Sequence, residues 1–473
     1  MPEAVGVSNR SRVAAVIVLA AVFMTNLDLW IVNVALPAVG ADFSRDGHPT
    51  SLADLSWVLN AYAITLAALL VLAGRLGDRF GQRPVFLAGV VVFTVASIGC
   101  ALAPDLWWLV LARVVQAAGA AAQLPTSLAL LLAAVPEGRR TGATRTWAAV
   151  GGLAAAAGPV AGGLLVQVDW RWVFVVNVPI GLITVLAGLT GLPRPAARER
   201  GALPDLWGAV LVTVAIAALS GALVQAPEWG WGSWRILALF AVAAVGLAWF
   251  GVRCARHARP LLELHLLRLP RFGTAGAGTF VFGVAFAIML LSNVLWCQEV
   301  WHWDALTTGL ALVPGPALVP VVTALTARTA GRYGHGPLIV AGGLLFAAGM
   351  LWRTVFAATV PDYARDLLPS LLLGGAGVGL AIGTLIAAGV QSLPAGRAAT
   401  GSALVNSFRQ ISSALGVAVL ITILGSRVNA GSVGDFHLAW IVAAVLALAT
   451  SAVGALLMRP AAAVPAPAAD PAT

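Results

Sequence analysis

The chain alternates long apolar runs with short polar breaks. Cutting it at the charged and Pro/Gly-rich breaks leaves fourteen apolar segments, from 13–38 near one end to 436–458 near the other. Each is close to the roughly 20 residues that an α-helix needs to cross a bilayer. The runs are continuous rather than alternating, which excludes a transmembrane barrel. The pattern predicts an all-α membrane protein of fourteen transmembrane helices. Composition agrees, since 60% of the 473 residues are hydrophobic and only 10% are charged, more apolar surface than a soluble domain hides.

Charge sets the orientation. Every basic residue other than histidine is arginine. Arg45, Arg171, Arg235, Arg365 and Arg427 fall in one set of loops, and most of the others fall in the opposite set. The Arg-rich side is then cytoplasmic, and an even number of spans puts both termini there. Trp57, Trp107, Trp108, Trp170, Trp172, Trp229, Trp231, Trp234, Trp301 and Trp303 cluster at helix ends on the Arg-poor side, as an interfacial belt would. The net charge of +9 is therefore a topology signal and implies no nucleic acid. The first apolar run lacks a short core with a cleavage site, so it reads as a retained span.

The chain also repeats. The stretch Gly74-Arg75-Leu76-Gly77-Asp78-Arg79-Phe80-Gly81-Gln82-Arg83-Pro84 is too polar for hydrocarbon and reads as a short surface loop. Arg75, Arg79, Gly81 and Pro84 recur, 253 positions on, as Arg328, Arg332, Gly334 and Pro337, while Asp78 becomes Gly331. Pro136-Glu137-Gly138-Arg139 recurs as Pro394-Ala395-Gly396-Arg397. Two parallel six-helix halves follow, 1–192 and 273–458. Between them, 193–272 is a linker with two additional helices, at 206–225 and 235–252. Its basic, Leu-bearing part, Arg253–Arg271, reads as an amphipathic helix on the inner leaflet. The Ala- and Pro-rich 459–473 reads as a disordered tail.

A few polar residues sit inside the apolar segments. Asp28 is the only carboxylate well inside one. It must face a wet cavity, pair, or take up a proton, because an unpaired buried charge is costly. A packing hydrogen bond between helices is the plainer reading for Asp28 and for Asn33. Arg113 and Gln116 share one face of the fourth helix, and Arg113 keeps its charge, so it must meet an anion, carbonyls or water. Its place in the second half is taken by Leu371. On the fifth helix Gly158, Pro159, Gly162 and Gly163 allow close helix approach and a bend. Gln298 and Glu299 end the ninth helix, where Glu299 reads as a solvated interfacial carboxylate. Arg353 and Arg409 read as snorkelling or capping side chains.

Several of these stretches resemble one family. Gly74, Asp78, Arg79, Gly81 and Arg83 match the loop signature between the second and third helices of major facilitator superfamily transporters, with Gln82 departing at one basic position. Leu27–Pro37 is similar to the first-helix signature of its fourteen-helix drug:proton antiporters, with Trp30 in place of the usual Thr. The segment beginning Arg113-Val114-Val115-Gln116 looks like the family's R-x-x-Q-G-x-G, with Ala117 for the first Gly. The Gly158-Pro159 and Gly162-Gly163 pairs resemble the antiporter signature of its exporters, and Asp169–Pro179 also looks like this group.

The resemblance implies a major facilitator fold in the cell inner (plasma) membrane. It further implies proton-coupled efflux of hydrophobic or amphiphilic molecules such as antibiotics or dyes. It assigns proton coupling to Asp28 and Arg113, and a gate to Gly74, Arg75, Asp78, Arg79, Gly81 and Arg83. The first, fourth, ninth and twelfth helices are expected to line a cavity bearing Asp28, Asn33, Gln116, Asn293 and Gln298. The expected partners are a small-molecule substrate, protons and the bilayer, with the protein a monomer. No cofactor or metal is expected, since Cys100, Cys254 and Cys297 are scattered and no phosphate loop or catalytic triad appears. An enzyme therefore lacks its parts. A nutrient:proton symporter and a non-transporting membrane sensor are the competing readings.

Overall fold

Helix ends fall where the sequence supplies caps. Ser51, Asp105, Ser233 and Asp304 each accept a bond from a backbone N–H three residues on, at 3.0, 2.9, 3.4 and 2.8 Å, satisfying a donor that the first helical turn leaves free. The computed structural model describes residues 9–44, 50–136, 139–193, 205–257, 260–261, 263–393, 398–425, 428 and 430–458. Among them are 14 helices long and apolar enough to span a membrane. They are α1 (Ser11–Asp42), α2 (Leu52–Phe80), α3 (Gln82–Ala101), α4 (Leu106–Ala134), α5 (Gly142–Val166), α6 (Trp172–Gly191) and α7 (Leu206–Trp229). Then follow α8 (Trp234–Arg256), α9 (Pro270–Val300), α10 (Ala305–Thr326), α11 (Gly336–Phe356), α12 (Tyr363–Gln391), α13 (Leu404–Leu424) and α14 (Val433–Met458). The chain is a multi-pass membrane protein.

Two expectations are corrected here. The stretch from Gly74 to Pro84 is not an open loop, because α2 runs to Phe80 and α3 starts at Gln82. Gly81 alone breaks them, at φ 98°, a conformation that a side chain would strain. Arg253–Arg271 is not an amphipathic α-helix either. α8 carries on to Arg256, and beyond it the described residues hold one 3₁₀ turn, Leu264–Arg268. Pro260 and Pro270 bracket the stretch and break helical bonding, while Leu261 and Leu266 turn inward and are buried. Arg253 is held at the base of α7 by Asp205, through Nη2 at 2.7 Å and Nε at 2.8 Å.

Each set of six helices pairs in the same way. α1 packs on α5 and α6, α3 on α4 and α6, and α2 on α4; in the same order, α9 packs on α13 and α14, α11 on α12 and α14, and α10 on α12. Two pairs make most of the contact between the sets, α2 with α13 and α5 with α10, and α1 also touches α9 and α10. The extra helix α7 packs on α8 and also on α2 and α13. The indoles differ in exposure, with Trp57 and Trp303 half-buried. Trp107, Trp108, Trp172, Trp229, Trp231 and Trp234 are exposed as a belt requires, whereas Trp170 and Trp301 are buried and bond Asp42 and the Ala358 carbonyl. The linker arginines 194, 198 and 200, the 394–397 repeat, Glu137, Gly138, Arg45, Arg427 and the tail 459–473 lie outside the described residues.

Candidate functional site: a buried ion pair in the first six helices

Asp28 sits midway along α1 with no solvent exposure, and Arg113 of α4 is 1% exposed. Arg113 Nη1 lies 2.5 Å from Asp28 Oδ2. The other carboxylate oxygen accepts from Gln116 Nε2 at 2.9 Å and from Asn177 Nδ2 of α6 at 3.0 Å. Arg113 also donates from Nε to the Val58 carbonyl (3.2 Å) and from Nη1 to Gln116 Oε1 (2.6 Å). Its guanidinium lies over the Tyr62 ring, 4.0 Å from the centroid. Ser97 of α3 closes the cluster by accepting from Gln116 Nε2 at 2.8 Å.

A buried ion pair offsets its desolvation only with good geometry and further hydrogen bonds. Here both carboxylate oxygens and two guanidinium nitrogens are bonded, and an aromatic face covers the cation. Five helices supply the parts, namely α1, α2, α3, α4 and α6. Neutralising Asp28 would remove the charge that holds Arg113, and the shared partners Gln116 and Asn177 would then have to rearrange. One proton can thus be coupled to the packing of a whole half.

The expected cavity residues are not brought together. Asp28 and Gln116 meet, but in a packed, wholly buried cluster rather than facing a cavity. Asn33 turns back on its own helix and donates to the Leu29 carbonyl at 3.0 Å. Asn293 accepts from Arg353 Nη1 at 3.0 Å, away in the second set of six. Gln298 donates to the Val34 carbonyl at 3.1 Å, tying the end of α9 to the end of α1. Asn177, Ser97 and Tyr62 were not foreseen as site residues. The signal for Asn177 was an amide inside an apolar run, the same signal that marked Asn33.

Arg353 corrects a further expectation. It does not snorkel; it is fully buried between the rings of Trp440 and Trp296, 4.5 and 5.7 Å from their centroids. Asp366 is another buried carboxylate, unforeseen from the sequence, 2% exposed at the start of α12, where it accepts from the Ala358 N–H at 3.2 Å.

The other candidate residues take structural positions. Asp78 Oδ1 accepts from Gln82 Nε2 at 2.8 Å, so the residue that departs from the family pattern spans the Gly81 break. Arg83 Nη2 donates to the Leu189 carbonyl, fastening α3 to α6. Helix α5 runs on through Pro159. Its small residues mark the closest approaches: a Cβ at Gly158 would stand 2.5 Å from Trp30 Cβ, and one at Gly163 would stand 2.5 Å from the Ala305 carbonyl oxygen. A Cβ at Gly309, facing them from α10, would stand 2.1 Å from the Pro159 oxygen. No side chain larger than hydrogen fits there without backbone movement.

Residues 18–417 match the sequence pattern of the Major Facilitator Superfamily. The chain belongs to that superfamily. Its relatives within the superfamily include the tetracenomycin C resistance and export protein of Streptomyces glaucescens, 34% identical over 90% of this chain and 78% of its own length. The methylenomycin A resistance protein of Streptomyces coelicolor is 35% identical over 85% of this chain and 83% of its own. The multidrug resistance protein Stp of Mycobacterium tuberculosis is 34% identical over 86% and 75%. In fold, this superfamily member is similar to an auto inhibited POT family peptide transporter, with a TM-score of 0.67 at 14% identity over 94% of this chain and 96% of that one.

Proposed function

We propose that this transporter exports hydrophobic or amphiphilic small molecules, of the antibiotic or dye class, in exchange for inward-moving protons. The buried Asp28–Arg113 pair is the observation that carries the reading. It is a titratable carboxylate whose charge decides the bonding of five helices, in a chain whose relatives are named for resistance and export. The chemistry is transport without catalysis.

The exchange works as follows. One proton moving inward gains about 2.3 kcal/mol per 100 mV of membrane potential. Protonation of Asp28 releases Arg113 from its anion, leaving the guanidinium to the Val58 carbonyl, Gln116 Oε1 and the Tyr62 face. Loss of the proton re-forms the pair. In the described conformation the Arg-poor end is shut between the halves by Gln298 on Val34 and by the α5–α10 contact at Gly163 and Gly309. The positive-inside distribution makes that end external, so this conformation is closed to the outside.

Inside-out vesicles energised to an acid interior provide the test, read with a fluorescent pH-gradient dye. Adding ethidium or members of an antibiotic panel should collapse part of the gradient, and vesicles lacking the protein should show no change. Absence of any response across the panel would sink the antiport reading.

A further inference from the structure

Helix α7 lies where the two halves meet, against α2 of one and α13 of the other. Near the Arg-poor end, two bonds leave it for opposite halves. Gln225 Nε2 donates to Asp54 Oδ1 of α2 at 3.2 Å, and the Leu223 carbonyl accepts from Thr422 Oγ1 of α13 at 2.7 Å. Gly221 sits one turn back, where a Cβ would stand 3.2 Å from Cζ2 of Trp57 on α2. We propose that α7 is a strap across the seam between the halves, holding the Arg-poor end shut and letting go of α13 when that end opens.

The two anchor residues are two positions apart on a stiff helix, a rise of about 3 Å. A rotation that parts the ends of α2 and α13 cannot preserve both bonds. The bond to Thr422 is built to break, because the same hydroxyl reaches the Ala418 carbonyl of its own helix at 2.8 Å. It therefore leaves Leu223 with an acceptor already in place. The donor of the bond to Asp54 has no alternative acceptor among the described residues, and Trp57 packed on Gly221 adds to the same side. Gln225 Oε1 and Ser220 Oγ of α7 are buried without a hydrogen-bond partner. Buried polar atoms are normally paired, so this seam is not fully matched to the closed state.

The strap rests on the exporter reading only in requiring the halves to move, and its test needs no substrate. Spin labels go on Leu102→Cys, Val360→Cys and Trp231→Cys, taken in pairs and read by double electron–electron resonance in liposomes. These positions are exposed at the Arg-poor ends of the first half, the second half and α7, while the three native cysteines are buried. Thr422→Val should raise the long-distance fraction of the 102/360 pair by about 3-fold to about 10-fold, the worth of one hydrogen bond. Thr422→Ser keeps the hydroxyl and should restore the parent distribution, which separates loss of the tie from misfolding. The 102/231 distance should stay fixed while 231/360 lengthens. An unchanged 102/360 distribution in Thr422→Val, or a label at 231 that travels with 360, overturns the proposal.

Discussion

Each half of the transporter buries one arginine deep in its own core, but the two are held by different means. Arg113 faces a carboxylate, Asp28, at 2.5 Å. Arg353 faces an amide, Asn293, at 3.0 Å, and two tryptophan rings; among the described residues no carboxylate forms an ion pair with it, and its Nε and Nη2 have no hydrogen-bond partner. A guanidinium does not lose its proton in a protein. Arg113 therefore has a carboxylate partner that could be neutralised by a proton, whereas the amide beside Arg353 could not be. The second half carries a fixed cation that packs α9, α11 and α14 together. On the exporter reading proposed above, the difference puts the proton-binding pair in one half and a fixed cation in the other.

The largest expected effect comes from removing the proposed proton-binding carboxylate. Asp28→Asn should abolish substrate-induced proton release from detergent-solubilised protein, measured with a pH dye. It also leaves Arg113 without its anion, a loss of about 3–5 kcal/mol when a buried pair is broken, visible as a lowered melting temperature. Undiminished proton release would move the proton site elsewhere.

Asn293→Asp sharpens the comparison by making the halves alike. It places a carboxylate beside Arg353 and should add a second proton-binding step to the titration of the purified protein. A titration identical to the parent would show that Arg353 is not positioned to pair. Arg353→Leu should lower stability by about 1–3 kcal/mol through a lost charged hydrogen bond and cation–π contacts, with proton release retained. Loss of proton release at intact folding would refute the division of roles.

The smallest effect separates the caps of two matching helices. α2 is capped by Ser51, which does not titrate, and α10 by Asp304. The Thr307 N–H and hydroxyl hold the Asp304 carboxyl below the usual carboxylate range. A lowered folded value stabilises above the unfolded value, about 3.9, and this contribution is lost as pH falls through the folded value. Asp304→Ser should leave stability near pH 7 almost unchanged and flatten the acid limb of the melting curve. An identical acid limb would show that the cap does not titrate with folding.

The fourteen spans were legible because hydropathy over about twenty residues needs no tertiary information. Asp28, Arg113 and Gln116 were legible for a related reason, since a polar group in an apolar run must find a partner. Their enclosure was not legible: a cavity and a packed cluster place the same residues on the same faces. Arg353 was misread because it lies within a turn of the end of α11, where a long side chain can reach the headgroups. Only the rings of Trp296 and Trp440, far off in sequence, show that it turns inward. The helical nature of Gly74–Phe80 was hidden by its charges, which argue for water but not against a helix.

Gly81 joins α2 to α3 as a single residue at φ 98°, and Gly334, at φ 79°, stands with His335 between α10, whose helix continues to Tyr333, and α11. A joint this short has consequences during synthesis. The second helix of each pair must emerge already folded back on the first, so the two can enter the bilayer together as a hairpin. Contacts between such neighbours are local in sequence and close quickly compared with long-range ones. Replacing either glycine with a residue that resists positive φ would then be felt first in membrane integration, before any finished transporter exists to be assayed.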